Sequence, residues 1–202
     1  MSAHSAPRII FRDMNGNGRN NCAAPEWVKL PNGQYALRFT GKPNAFINFP
    51  PGSFPHKNGY TVEFDVLPEE TDRDQVCLGM YGGTALTGFR LRTEKGKFAV
   101  DFQNRRPHDT TSAFSPLDTR ISKLGPVEGK WNRIRFRYDG HAVYLSVNNG
   151  PEDALPFTGI TRNLNSSTFA GDGSKGSDGR PRFFKGLLRS FSIIHTAKPL
   201  KN

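Results

Sequence analysis

The chain has 202 residues and a net charge of +10, from 28 Lys and Arg against 18 Asp and Glu. This length is enough for one large domain with a sizeable core, and no apolar run is long enough to cross a bilayer as a helix. Arginine accounts for 17 of the basic residues, which favours bidentate contact with a carboxylate, sulfate or phosphate; general solubility explains a basic composition equally well.

The secondary structure is predicted from short alternating segments that recur between turn residues. No long segment has the 3.6-residue apolar period of a helix, which favours an all-β sandwich or barrel. Residues 1–8 are predicted to be a loose tail without a signal-peptide core, and residues 9–202 to form a single domain. The predicted strands are 9–11, 35–40, 45–49, 60–66, 76–81, 88–93, 97–103, 182–194 and both arms of a hairpin within 129–149.

The first predicted hairpin, residues 88–103, turns at Lys95-Gly96. Its arms alternate in one register, so one face is apolar and the other polar. The predicted pairs are Phe89 with Phe102, Arg90 with Asp101, Leu91 with Val100, and Arg92 with Ala99. A long polar connection, residues 104–128, is expected to follow it.

The second predicted hairpin, residues 129–149, has Asp139-Gly140 as a two-residue turn. Its apolar side chains face the core, and its outer side has three alternating arginines. The predicted pairs are Tyr138 with His141, Phe136 with Val143, Ile134 with Leu145, Arg135 with Tyr144, and Arg133 with Ser146. The expected core consists of Phe39, Phe64, Phe89, Phe98, Phe102, Trp131, Phe136, Leu145 and Phe191.

Four segments in the expected order are similar to concanavalin A-like, laminin G-like domains: 34–41 with 45–50, 60–66, the 129–149 hairpin, and 183–188. The resemblance implies a two-sheet antiparallel jelly-roll sandwich. It also implies one of several functions (carbohydrate-binding module, lectin, adhesion domain or glycan-degrading enzyme) and a location outside the cell or at its surface. Because no signal peptide is visible, a cytoplasmic location stays open. Arg189 stands where many members have an acidic residue for Ca²⁺, which argues against that calcium site.

Another calcium-binding pattern is present near the N-terminus. Asp13, Asn15 and Asn17 alternate as oxygen ligands before Gly18, as in the first half of a calcium loop. The distal bidentate Glu is missing, so a plain Asx-rich turn is favoured over a weak Ca²⁺ site. Cys22 and Cys77 either pair across the sandwich or are two buried thiols.

Two catalytic interpretations are weaker than a binding role. Glu63 and Asp65 share a strand face, like the paired carboxylates of a glycosidase, but the third acid of that motif is displaced by Pro68. A uronate lyase would need a charge neutraliser beside a Tyr or His base. Arg90, Gln103, His108, His141 and Tyr144 provide these residue types, but without the motifs of lyases on this fold.

The favoured function is non-catalytic binding of a polysaccharide, most reasonably an acidic one. If both hairpins belong to one sheet, their outer side chains form a single basic surface. The predicted ligand-binding residues are Arg90, Arg92, Gln103, Arg133, Arg135, Arg137, Tyr144 and Ser146. The alternatives are a polysaccharide lyase or hydrolase, and an adhesion domain with a protein partner; a catalytic neighbouring domain would suit the binding role. Nucleic acid is not favoured, because no aromatic stacking surface or recognition motif is visible.

Overall fold

The computed structural model describes residues 25–42, 47–49, 59–80, 89–103, 117–157, 168–170, 179 and 182–194. The regular secondary structure within these ranges consists of β-strands. None of the described residues forms a helix long and apolar enough to cross a membrane. The thirteen strands are β1 Glu26–Lys29, β2 Tyr35–Thr40, β3 Ile47–Phe49, β4 Tyr60–Pro68, β5 Gln75–Met80, β6 Phe89–Glu94, β7 Lys97–Gln103, β8 Leu117–Ile121, β9 Asn132–Tyr138, β10 Ala142–Val147, β11 Asp153–Pro156, β12 Thr168–Ala170 and β13 Lys185–Ile194.

The strands form two antiparallel sheets. The seven-stranded sheet has the order β1-β2-β13-β4-β9-β10-β11, and the six-stranded sheet has the order β3-β12-β5-β6-β7-β8. One hydrophobic cluster contains side chains of both sheets and so lies between them. The predicted fold class, a two-sheet antiparallel jelly-roll sandwich, is confirmed.

Alternation along the strands builds this core. In β4, Val62, Phe64 and Val66 are buried, while the intervening Glu63 and Asp65 are partly exposed on the other face. Full burial of each large apolar side chain contributes roughly 1.5–3 kcal/mol. We call the side of each sheet that points away from the core its outer face.

The first hairpin forms as predicted. Strands β6 and β7 pair with Arg90 opposite Asp101 and Leu91 opposite Val100. Lys95 and Gly96 both have positive φ, 49° and 72°, the conformation of a two-residue type I′ turn.

The second hairpin forms with a different register. Tyr138 pairs with Val143 rather than with His141, because the turn is longer than two residues. The Asp139 carboxylate accepts hydrogen bonds from the backbone N–H groups of His141 and Ala142, which stabilises this longer turn. The displacement is two residues, so each side chain keeps its predicted face but has a new partner: Tyr144 lies opposite Arg137, and Ser146 opposite Arg135.

Other predictions need correction. Trp131 is only partly buried and lies outside the core cluster, and Phe191 packs against that cluster from its edge. Strand β8 lies within the predicted connection 104–128, and strands β1, β11 and β12 were missed because they are short. The predicted tail 1–8 and strand 9–11, and the side chains of Phe89 and Phe102, lie outside the described part of the structure.

Strand β13 continues a segment that joins the two sheets. The Arg182 carbonyl accepts a hydrogen bond from Val76 N–H of the six-stranded sheet (3.0 Å), and the chain then enters the seven-stranded sheet at Lys185. Gly186 (φ +150°) is required there, because a Cβ would lie 2.3 Å from the Leu67 carbonyl oxygen. A β-bulge interrupts β13 at Ser190, whose φ is +53°.

Candidate functional site

The two arginine-bearing hairpins lie in different sheets. Strands β6 and β7 belong to the six-stranded sheet, and strands β9 and β10 to the seven-stranded sheet. Their arginines therefore point away from the core on opposite sides of the sandwich. The expected single basic surface is wrong, because alternation fixes whether a side chain faces the core but not which sheet its strand joins.

On the six-stranded sheet the arginines are buried around one carboxylate. Arg90, Arg92 and Asp101 are only 8%, 4% and 1% exposed. Both Nε atoms donate hydrogen bonds to Asp101 Oδ2, at 2.7 and 2.9 Å, and the Thr119 hydroxyl donates to Oδ1 at 2.8 Å. Burial alone would raise the pKa of Asp101, but the Arg92 hydrogen bond and the charges of both arginines outweigh it and lower that pKa. Arg92 also forms an ion pair with Glu94.

Gln103 is the last residue of β7 and pairs with Leu117 of β8. By register it belongs to the same face as Asp101, but its side chain lies outside the described part of the structure. Its predicted contact with a ligand stays a prediction.

On the seven-stranded sheet the acidic strand β4 lies beside the arginine strand β9. Arg133 bridges two carboxylates, with Nη2 2.6 Å from Glu63 Oε2 and Nη1 3.1 Å from Asp65 Oδ1. The Arg135 Nε lies 3.5 Å from Glu63 Oε1. The Arg133 side chain is still 34% exposed, so this network of ion pairs is accessible to solvent.

Tyr144 is held on the same face by two contacts. Its ring lies over the Arg137 guanidinium, 3.6 Å from Cζ to the ring centroid, and its hydroxyl is hydrogen-bonded to Asp139, which raises the pKa of Tyr144. Arg137 is itself fixed by Glu152 through Nε–Oε1 (3.1 Å) and Nη2–Oε2 (2.6 Å) hydrogen bonds, which raise its pKa. The Arg137 side chain is 7% exposed, whereas Tyr144 stays partly exposed. The tyrosine ring thus covers the arginine.

Trp131 provides a second aromatic ring at the other end of β9. The Arg189 guanidinium lies over it, 4.1 Å from Cζ to the ring centroid, and donates to Asp65 Oδ2 at 3.1 Å and to Gln34 Oε1 at 3.0 Å. Arg189 immediately precedes the bulge at Ser190, and bulges change the direction in which neighbouring side chains point. Trp131 and Arg189 were not predicted as site residues, although Trp131 precedes Arg133 by two and so shares its face by alternation.

Two other predicted site features have structural explanations. Ser146 is 2% exposed, and its hydroxyl donates to the Gly150 carbonyl at 2.7 Å, so it stabilises a turn instead of offering a free hydroxyl. The described residues contain 17 Lys and Arg against 14 Asp and Glu, so they account for only +3 of the net charge of +10. As far as the described residues go, neither outer face is the strongly basic surface that composition alone favoured.

The two carboxylates of the glycosidase interpretation lie in ion pairs. Glu63 and Asp65 share the predicted face, but guanidinium groups engage both carboxylates. His141 is exposed in the turn of the second hairpin, and His108 lies outside the described residues.

Metal and thiol chemistry lack support in the described parts of the chain. There, no cluster of three or more His, Cys, Asp or Glu could hold a metal ion, and Asp13, Asn15 and Asn17 lie outside them. The weak Ca²⁺ site stays a prediction. Cys77 is a free buried thiol whose pKa is raised by burial to about 12, which makes it unreactive; Cys22 is not among the described residues.

Comparison with solved structures identifies the fold. Domain 4 of the extracellular GH43 arabinanase AbnA from Geobacillus stearothermophilus, in complex with arabinotriose, has a TM-score of 0.65 and 20% identity over 89% of this chain and 79% of that chain. The laminin α2 LG1-3 region has a TM-score of 0.58 and 13% identity over 81% of this chain and 31% of that laminin chain. The enzymatically active domain of bacteriophage CBA120 tailspike protein 2 has a TM-score of 0.55 and 14% identity over 84% of this chain and 27% of that chain.

No protein-family model and no curated protein sequence matches the chain. The similar structures share one architecture, at identities that establish the fold alone. The chain has the concanavalin A-like jelly-roll fold, the fold of laminin G-like domains.

Proposed function

We propose that this protein is a carbohydrate-binding module whose polysaccharide ligand lies along β9, on the outer face of the seven-stranded sheet. The observation that carries the proposal is the pair of partly exposed aromatic rings, Trp131 and Tyr144, held in place at the two ends of one polar face. Sugar rings present apolar C–H faces to aromatic side chains and hydroxyl groups to polar ones, so this combination suits a glycan.

The spacing of the rings suits a polymer. Tyr144 lies opposite Arg137, six residues from Trp131, which places the two rings ~20 Å apart at about 3.3 Å per residue along the strand. Between them Arg133, Glu63 and Asp65 offer guanidinium donors and carboxylate acceptors within reach of sugar hydroxyls. An extended oligosaccharide can contact both rings at once.

The charge balance of this face changes the expected ligand. Arg133, Arg135 and Arg137 each have a carboxylate partner, so an acidic sugar would have to compete with Glu63, Asp65 or Glu152. A neutral polysaccharide avoids that competition, and we therefore propose a neutral ligand here in place of the acidic one. The arabinanase domain of similar fold was solved with arabinotriose, which supports this class. Because that enzyme is extracellular, we also propose that the module acts outside the cell.

The test is affinity electrophoresis of the purified protein in gels containing arabinan, other neutral polymers, polyuronates or sulfated polymers. We expect a neutral polymer to retard the wild-type protein. Trp131→Ala and Tyr144→Ala should each weaken binding about tenfold or more, since burial of a large apolar side chain contributes roughly 1.5–3 kcal/mol. The matched control is Ile121→Ala, which removes an exposed apolar side chain (55% exposed) from the six-stranded sheet.

Three results would contradict the proposal. Retardation unchanged in both aromatic variants would place the ligand elsewhere. New reducing ends in a digest of the bound polymer would instead favour the hydrolase or lyase alternative. Absence of binding to every polymer would favour the adhesion alternative with a protein partner.

A further inference from the structure

Arg182 differs from the other buried and half-buried arginines of the described chain. Eight of the ten arginines there form an ion pair with a carboxylate: Arg38, Arg73, Arg90, Arg92, Arg133, Arg135, Arg137 and Arg189. Among the described residues, the Arg182 side chain has no such partner, and its Nε is buried without a hydrogen bond. A buried donor without a partner is costly, and it usually marks a place where water or an ion belongs.

The backbone places Arg182 beside the buried arginines of the six-stranded sheet. The Arg182 carbonyl accepts a hydrogen bond from Val76 N–H (3.0 Å), and Val76 pairs with Arg92 across β5 and β6. Burial lowers the pKa of Arg182, and the charges of Arg90 and Arg92 lower it further; Asp101 and Asp74 oppose this only in part. The Arg182 guanidinium is thus near enough to those of Arg90 and Arg92 to be repelled by their charges.

The carboxylates on this face are already engaged by other groups. Asp101 Oδ2 accepts from both Arg90 and Arg92, and Oδ1 accepts from Thr119. Glu94 forms an ion pair with Arg92. Asp74, which is also buried, favours the charge of Arg182 but forms no ion pair with it, so Arg182 keeps a buried Nε without an acceptor.

We propose that Arg182, next to the buried arginine cluster, binds an oxyanion: the carboxylate or sulfate group of an acidic ligand. The planar guanidinium fork matches both groups, and partial burial strengthens such hydrogen bonds relative to those in water. This site is on the opposite side of the sandwich from Trp131 and Tyr144, so it is independent of the proposed glycan face.

The test is a thermal unfolding titration with sodium sulfate against sodium chloride at equal ionic strength, in the wild-type protein and in Arg182→Gln. Sulfate should raise the unfolding temperature of the wild-type protein by more than it raises that of Arg182→Gln, because sulfate stabilises proteins in general and a bound ion adds to this effect only where its site is intact. Arg182→Gln should bind sulfate about tenfold more weakly or worse, the loss expected for one charge-assisted hydrogen bond. Arg38→Gln, on the seven-stranded sheet, removes an ion-paired arginine and should keep the wild-type response.

Further arms separate the two ligand chemistries and protect against a variant that does not fold. Sodium acetate and a uronic-acid oligosaccharide test the carboxylate, while a sulfated oligosaccharide tests the sulfate ester. Arg182→Lys keeps the charge but loses the fork, and we expect sulfate binding at least threefold weaker. Equal responses to sulfate and chloride, or an unchanged response in Arg182→Lys and Arg182→Gln, would overturn the proposal.

Discussion

The outer faces of the two sheets contain the same sequence pattern, arginine at alternate positions, but differ in how the charges are neutralised. On the seven-stranded sheet, each arginine of β9 finds a carboxylate on a neighbouring strand or turn. On the six-stranded sheet, Arg90 and Arg92 are nearly buried and share Asp101, while Arg182 beside them has no described carboxylate partner. The first face is a balanced, solvent-accessible network of ion pairs, and the second is a buried cluster beside one arginine that has no described ion-pair partner.

This difference shows that an arginine pattern does not by itself predict an anion site. Strand β4 supplies Glu63 and Asp65 only because it pairs with β9 in one particular register. A shift of one residue would have placed Val62 and Phe64 on that face and left the arginines unpaired. The electrostatics of a sheet face therefore depend on which strands become neighbours.

The largest predicted effect is the loss of stability when the buried arginine cluster loses its shared carboxylate. Asp101→Asn should lower the free energy of unfolding by roughly 3–5 kcal/mol, because it removes the carboxylate shared by two buried guanidinium groups. Glu63→Gln on the other face should cost about 1 kcal/mol or less, since Arg133 keeps Asp65 and the face is partly hydrated. Urea denaturation of both variants measures the difference; equal losses would mean that the two faces are not distinct in burial.

A second prediction concerns acid. Asp101 has a lowered pKa in the folded protein, so its contribution to stability is complete above its unfolded value of about 3.9 and is lost as the pH falls through the folded value. The stability difference between the wild-type protein and Asp101→Asn should thus shrink below about pH 4, by about 1.4 kcal/mol for each unit by which the pKa is lowered. Urea midpoints from pH 7 to pH 2.5 test this, and a difference that stays constant would refute it.

The smallest predicted effect sharpens the description of the glycan face. Tyr144→Phe keeps the ring over Arg137 but loses the hydrogen bond to Asp139, whose carboxylate still binds two backbone N–H groups. The free energy of unfolding should fall by about 0.5–1 kcal/mol. Polysaccharide affinity should change less than about threefold, whereas Tyr144→Ala removes the ring and most of the binding. If Tyr144→Phe weakened polysaccharide binding as much as Tyr144→Ala, the hydroxyl and not the ring would contact the ligand.

Much of the local structure was predictable from the residues. The Lys95-Gly96 turn fixed the β6–β7 register, since both residues tolerate positive φ in a two-residue loop. The Asp139-Gly140 turn predicted a β9–β10 register that is wrong by two residues. The Asp139 side chain caps a loop longer than two residues, and the spacing in the sequence does not reveal this. The faces of Arg133, Arg135 and Arg137 were nevertheless correct, since an even displacement preserves alternation.

The aromatic part of the candidate site was missed for a physical reason. Tryptophan is usually mostly buried, so Trp131 was expected in the core, whereas alternation with Arg133 places it outside. Its contact with Arg189 joins residues far apart in the chain, and it depends on the pairing of β13 with β4 and on the bulge at Ser190. No local sequence pattern specifies the contact between Trp131 and Arg189.

The sequence by itself determined the strand-rich class, the inward direction of Phe39, Phe64, Phe98 and Phe136, and the outward direction of the arginines, because these follow from the two-residue period of a strand. Only the tertiary structure decided which hairpin joined which sheet, and hence which arginines have carboxylate neighbours. The reason is that charge pairing across strands depends on long-range strand order and register. The unpaired state of Arg182 belongs to this second kind of information, since it arises where the chain passes from one sheet to the other.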